Sequence, residues 1–262
     1  MRVVGIIPAR YASTRFPGKP LAMIKGKTMI RRVCEQAWKS KLDAVVVATD
    51  DVRIADEVMS FGGRYVMTDP NHRSGTDRCC EALDILGNQY DAVVNIQGDE
   101  PFIDPKQIDL LVDLISQEEV QLASLARKMD DEEELFSPNM VKVVMYKEGK
   151  ALYFSRNPIP FMRNVERTDW LKSGVFYQHI GIYAYKADTL HQIAAMQPTA
   201  LELAESLEQL RWLENGLSIR MAVTNAVNVS IDTPEDLAKA EQLTLKQTLN
   251  ARKTRTSEPG AP

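Results

Sequence analysis

Cysteine is scarce in this chain of 262 residues: Cys34, Cys79 and Cys80 are all there is. An odd number at these spacings excludes a disulfide framework and offers no metal-type motif. The three thiols read as small buried hydrophobes before they read as nucleophiles. Long apolar runs are lacking too. None approaches the ~20 residues of a membrane-spanning helix. Met1-Arg2 leads into "VVGII", which is too short for a secretory core. A cytoplasmic protein with no membrane partner is the expectation. Excess positive charge is also missing, since 32 Lys and Arg stand against 36 Asp and Glu. That balance argues against a general nucleic-acid binder, which needs a basic face. Two phosphate-binding signatures are absent as well, the G-x-x-x-x-G-K-[ST] loop and the G-x-G-x-x-G fingerprint.

What is present is an alternation of buried-strand and helix signals. "VVGII" (3–7), "AVVVATD" (44–50), "RYVMT" (64–68) and "DAVVNIQGDEP" (91–101) read as strands. Helical spacing fills the gaps at 28–40, after Asp51 up to Gly62-Gly63, at 75–87 with Ser74 or Thr76 as N-cap, and at 104–117 with Asp104 as N-cap. Uninterrupted Val/Ile runs alternating with helices predict an α/β fold, a parallel sheet covered on both faces. The second half changes character. A hairpin is expected over 141–156, turning at Glu148-Gly149. Strands are expected at 177–186, at "IRMAVT" and at "VNVSI". An amphipathic helix is expected over 203–216, and another after Thr233-Pro234. Residues 156–176 read as a loop, and there are no internal repeats. The polar tail "NARKTRTSEPGAP" reads as disordered.

A parallel sheet puts its ligand crevice outside the carboxyl ends of its strands. The first strand runs there into "IIPARYASTRFPGKPL" (6–21), which gathers Arg10, Arg15 and Lys19 beside Ser13 and Thr14. Guanidinium forks suit phosphate oxygens, and an ammonium supplies a compact charge. Gly18 lets the backbone bend beside Lys19. The loop reads as a triphosphate site; the alternative is a solvated loop with surface ion pairs. A triphosphate reaction normally uses Mg²⁺, held by one or two carboxylates with phosphate oxygens and water. Asp99, next to Gly98, is the leading ligand and Asp232 the second, unless Asp232 only helps to cap the following helix. Glu100 reads as a further ligand or as a partner for a loop cation, and Asp50 as a turn residue. "HRSGTDR" (72–78) opens a helix whose backbone N–H groups suit a base edge or a phosphate.

These stretches, with "PNMVKVV", "ALYFSR", "HIGIYAY", "LEQLR" and "IDTPEDL", resemble the 3-deoxy-manno-octulosonate (Kdo) cytidylyltransferases, or CMP-Kdo synthetases, of Gram-negative bacteria. The likeness runs from Arg2 to about Leu249. It implies a Rossmann-like, mostly parallel twisted sheet of the nucleotide-diphospho-sugar transferase type. It implies one domain over residues 1–250, with a smaller β-rich lobe at about 127–200 for sugar binding and dimerisation, and a tail at 251–262. The implied reaction converts CTP and Kdo to CMP-Kdo and diphosphate with Mg²⁺, in a homodimer, for lipopolysaccharide synthesis.

Carried over by position, Arg10, Ser13, Arg15 and Lys19 hold the nucleotide and its phosphates. Ser74, Gly75, Thr76 and Arg78 lie by the cytidine, and Asp99 and Asp232 hold magnesium. Gln97, Arg156, His179, Tyr183, Glu208 and Gln209 line the Kdo pocket. Lys19, Arg10 and Asp99 are the catalytic set implied. Arg73, Asp77, Phe16 and "NPIPFMRN" (157–164) depart from the family's usual residues. Rival readings are a cytidylyltransferase for another acidic sugar such as sialic acid, a metal-dependent glycosyltransferase, and a catalytically silent nucleotide-binding protein.

Overall fold

β1 (Val3–Ala9) runs through the centre of the molecule, because Val3, Val4, Ile6 and Ile7 are at most 2% exposed and point alternately to two separate cores. Burying each such side chain contributes roughly 1.5–3 kcal/mol. The computed structural model describes residues 1–12, 16–87 and 89–241. Ser13, Thr14, Arg15 and the tail 251–262 therefore lie outside the described residues.

A small β2–β3 hairpin (Met23–Ile24 and Lys27–Thr28) leads from β1 into α1 (Met29–Ala37). Then follow β4 (Ala44–Thr49), α2 (Val52–Ser60), β5 (Arg64–Met67), α3 (Gly75–Leu86), β6 (Ala92–Asn95) and α4 (Pro105–Ile115). The second half holds β7 (Leu122–Lys128), α5 (Glu132–Phe136), β8 (Lys142–Met145), β9 (Ala151–Ser155), α6 (Trp170–Ser173) and β10 (Tyr177–Lys186). It closes with α7 (Ala187–Ala194), α8 (Ala200–Glu205), α9 (Gln209–Glu214), β11 (Arg220–Val223) and a helix whose described part is 234–241.

The main sheet runs β11-β7-β10-β6-β1-β4-β5, with β8 and β9 added at the start of β10. Along that path only β10 is reversed, so the sheet is mostly parallel. α1, α2 and α4 bury Ile30, Val33, Ile54, Val58, Ile108 and Leu111 on one face. α3, α7 and α9 bury Cys79, Leu83, Leu190, Ile193, Leu210 and Trp212 on the other. Two-sided cover explains why the central strands read as continuous apolar runs. A smaller cluster of Met129, Leu135, Trp170 and Phe176 fills the space under the 156–176 excursion.

Two expected elements differ. The helix expected over 203–216 is broken at Ser206, whose φ is +53. Glu205 is drawn sideways, accepting from Ser155 Oγ at 2.7 Å and Arg156 N at 2.9 Å. The Arg156 guanidinium meanwhile takes the carbonyls of Glu205 and Ser206, which a continuous helix would have used itself. "VNVSI" forms no strand. Its side chains dock instead: Asn228 bonds Gln107 and Glu100, and Ile231 packs against Ile24, Met29 and Ala240. β7 also escapes the sequence pattern, because "LASLARK" lacks the β-branched residues that mark strands.

Candidate active site

β1 has β4 on one side and β6 on the other, so the chain reverses its direction of sheet growth between β1 and β6. Crevices form outside the carboxyl ends of strands at such a switch point. A cleft of about 280 Å³ lies there. Its wall includes Arg10 just after β1, Lys19, Ser74, Gly75 and Arg78 of α3, Gln97 and Asp99 after β6, and Asp232. Eight residues singled out from sequence thus converge from distant parts of the chain.

Lys19 is placed by its backbone. Gly18 has φ +71, donates to Tyr11 O at 2.9 Å, and sits where an added Cβ would come 3.1 Å from the Tyr11 ring. Only glycine takes that conformation at little cost. Pro20 is buried behind it. The Lys19 ammonium lies 2.7 Å from Asp99 Oδ2 and 3.1 Å from Asp232 Oδ1. Gly98 allows the chain before Asp99 to pass close to β1, since a Cβ there would lie 3.0 Å from Pro8 O. Ile231 N donates to Asp99 O at 3.0 Å, which brings Asp232 alongside. The next helix is capped by Thr233 and Asp236 through reciprocal bonds, while the Asp232 carboxylate faces Lys19. Two carboxylates from separate segments, meeting at one cation position, form a hard-oxygen donor pair that suits Mg²⁺. Arg10 is exposed at the rim.

The opposite wall is the first turn of α3. Ser74 Oγ accepts from Asp77 N at 3.1 Å and Asp77 Oδ2 accepts from Ser74 N at 3.2 Å, a reciprocal capping box. Arg78 is 3% exposed and is committed to Thr68 Oγ1 at 2.6 Å and Asp50 Oδ2 at 3.1 Å. Asp50 is therefore an ion-pair partner at the end of β4 as well as a turn residue. His72, which the sequence reading passed over, also lines the cleft and pairs with Glu81 of α3. Its signal was its place beside "SGTDR", as one of three histidines in the chain. Glu100 pairs with no loop cation among the described residues. It accepts from Asn228 Nδ2 at 2.6 Å, and burial, followed by the neighbouring Asp99 charge, pushes its carboxyl up to about 7.

The sequence matches a model of the cytidylyltransferase family over residues 4–219. A 3-deoxy-manno-octulosonate cytidylyltransferase of Parabacteroides distasonis is 55% identical over 244 residues, covering 92% of this chain and 97% of that protein. One of Cytophaga hutchinsonii is 55% identical over 239 residues, covering 90% and 95%. The chain belongs to the 3-deoxy-manno-octulosonate cytidylyltransferase family. A solved CMP:2-keto-3-deoxy-manno-octonic acid synthetase complexed with CTP superposes with a TM-score of 0.87 at 39% identity, covering 94% of this chain and all of that one.

In this Kdo cytidylyltransferase family member, the other expected residues lie behind the cleft wall, around β10 and α9. Thr76 Oγ1 donates to Glu208 Oε2 at 2.9 Å, which joins the first turn of α3 to the start of α9. Burial raises the Glu208 carboxyl, while the bonds from Thr76 and Ser74 and the Arg211 charge lower it. His179 and Tyr183 share one face of β10, with ring centroids 5.4 Å apart. His179 Nε2 lies 3.0 Å from Ser124 Oγ, and burial pulls its imidazole down to about 3. Tyr183 packs edge-on against Trp212 at 5.0 Å. Gln209 is 4% exposed. Arg156 gives its guanidinium to the carbonyls of Pro138, Glu205 and Ser206. Nearby, the fully buried Lys142 ammonium gathers the carbonyls of Ser137, Met140 and Arg156.

Proposed function

We propose that this protein transfers CMP from CTP to Kdo and releases diphosphate. The observation that carries the reading is the Lys19–Asp99–Asp232 constellation at the carboxyl ends of the central strands, next to Arg10 and the first turn of α3. Family membership supports the choice of nucleotide and sugar.

The physical problem is charge. An anionic sugar acid must approach a nucleotide triphosphate, so catalysis rests on positioning and electrostatic stabilisation. Lys19 and Arg10 neutralise phosphate oxygens, and Arg15 joins them from the same loop. Asp99 and Asp232 hold Mg²⁺, as the donor pair allows. When bound, the metal polarises the α-phosphate and eases ionisation of the attacking hydroxyl. Ser13, Ser74, Gly75, Thr76 and Arg78 form the nucleotide side. We assign the sugar to the β10–α9 side, with Gln97, Arg156 and Glu208 as polar contacts and His179, Tyr183 and Gln209 packed beneath them. The product feeds lipopolysaccharide synthesis in the cytoplasm, and the enzyme works as a homodimer. No helix among the described residues is long and apolar enough to cross a membrane.

The deciding assay measures diphosphate release from CTP with and without Kdo and Mg²⁺. Release should require all three. Turnover with sialic acid in place of Kdo would reassign the sugar. CTP binding without turnover on either sugar would leave only a nucleotide-binding protein. Light scattering of the purified chain tests the dimer.

A further inference from the structure

α3 and α7 pack side by side on the second core, away from the cleft, and three metal-ligand side chains meet at their seam. Cys80 and Asp84 are one helical turn apart on α3, so they share a face. His191 of α7 reaches across. One ligand atom from each lies within 4.8 Å of the others, and this is the one such group among the described residues. A tetrahedral site with bonds of about 2.0–2.3 Å spaces its ligand atoms about 3.3–3.8 Å apart, so small rotamer changes close the gap.

The histidine is already oriented. His191 Nδ1 lies 2.9 Å from Ala187 O, an acceptor only, so the ring proton sits on Nδ1. Nε2 faces Asp84 Oδ1 at 2.7 Å, so a second proton lies between them until a cation takes its place. A backbone carbonyl that fixes the tautomer of a ligating imidazole is the usual support behind a metal-bound histidine. The Asp84 and His191 side chains are 61% and 45% exposed, so a cation enters from solvent. Cys80 is half-buried beneath them and offers the soft donor.

We propose that Cys80, Asp84 and His191 form a zinc site, distinct from the nucleotide cleft, with a fourth position open to water. Mixed sulfur, nitrogen and oxygen donors in a three-residue set suit Zn²⁺ rather than Mg²⁺. On capture, the thiol proton of Cys80 and any proton held between His191 and Asp84 leave to solvent, and three coordinate bonds form. No redox step is involved. The ion ties α7 to α3, the helix whose first turn forms one wall of the cleft. The site goes beyond the nucleotidyl-transfer reading and stands without it.

Cobalt(II) is the probe, titrated into the metal-stripped full chain with excess Mg²⁺ present. One equivalent should bind, with the visible bands of tetrahedral cobalt and a near-ultraviolet thiolate charge-transfer band. Zinc should displace it. Cys80→Ala should lose the charge-transfer band. Asp84→Asn and His191→Gln should weaken binding at least about tenfold. Cys34→Ala and Cys79→Ala should leave the titration unchanged. His191→Gln keeps the thiol and is exposed, so a loss there, with unchanged circular dichroism, is not unfolding. Cobalt bound without a thiolate band, equal affinity in Cys80→Ala and His191→Gln, or no binding at micromolar cobalt would each overturn the proposal.

Discussion

Lys19 and His179 are both basic residues held among polar neighbours, yet the protein handles them in opposite ways. Lys19 is 16% exposed and meets two carboxylates at the cleft wall. His179 is 8% exposed on β10 and meets a serine hydroxyl, the edge of Phe154 at 4.9 Å and the ring of Tyr183. No carboxylate among the described residues compensates it, and burial keeps it neutral. Under the proposed function, an arriving phosphate and metal would replace the Lys19 contacts with new ones. The β10–α9 region works through shape and hydrogen bonds.

The largest effect that sharpens this contrast is chemical. Asp99→Asn should remove most diphosphate release and its magnesium dependence, because the cleft loses one of two hard donors. Lys19→Ala should lower kcat/KM roughly 10²–10³-fold, the scale of losing one preorganised charge-stabilising donor. Both variants should keep their far-ultraviolet circular dichroism. Normal kinetics in Lys19→Ala would dissolve the comparison, since the ammonium would then be only a structural ion-pair partner.

His179→Ala should act on stability. It empties a packed site and strands the Ser124 hydroxyl, for about 2–3 kcal/mol on unfolding. Because burial lowers the folded imidazole to about 3, the unfolded chain binds the extra proton between that value and about 6.5. Stability contributed by neutral His179 is therefore present above pH 6.5 and is lost as pH falls. Denaturant midpoints from pH 7 down to 4 should fall less steeply in His179→Ala than in the parent. A loss of kcat with unchanged midpoints would mean that His179 handles substrate directly.

The fold was legible where one residue type did one job. The runs at 3–7, 45–49 and 92–96 are buried on both faces and show it. Ser74 and Asp104 cap helices as their spacing suggests. The cleft was legible because charged residues at strand ends announce themselves one at a time. The break at Ser206 was not, because it depends on Arg156 and Glu205 meeting across about fifty residues of chain. "VNVSI" misled for a related reason: its Asn228 and Ile231 anchor a connection, which period-2 patterning cannot tell from a ladder. Asp50 is paired with Arg78 only because β4 and β5 end beside the start of α3.

Glu100 supplies a pH effect of opposite sign. Its folded carboxyl is raised to about 7 from 4.5, so the folded state holds the extra proton across that window. Stability should therefore fall as pH rises from 4.5 to 7, by an amount on the order of 2 kcal/mol. Glu100→Gln should flatten that slope and raise the denaturant midpoint at pH 8. An unchanged slope would mean that the charged form is better compensated than Asn228 alone suggests.

Ser74 belongs to both regions, which makes it the finest test. It lines the cleft, its Oγ accepts from Asp77 N, and its hydroxyl partly offsets the burial that raises the Glu208 carboxyl. Ser74→Ala should cost about 1 kcal/mol through the lost cap. It should also raise KM for CTP a few-fold with kcat little changed, as expected when a contact shared by ground and transition states is removed. Ser74→Asn restores a capping acceptor, so it should recover the stability but not the KM. If KM rises for Kdo alone, Ser74 acts through Glu208 and moves from the nucleotide wall to the β10–α9 side. If Ser74→Asn recovers KM together with stability, the hydroxyl touches neither substrate, and the helix end acts through its backbone N–H groups.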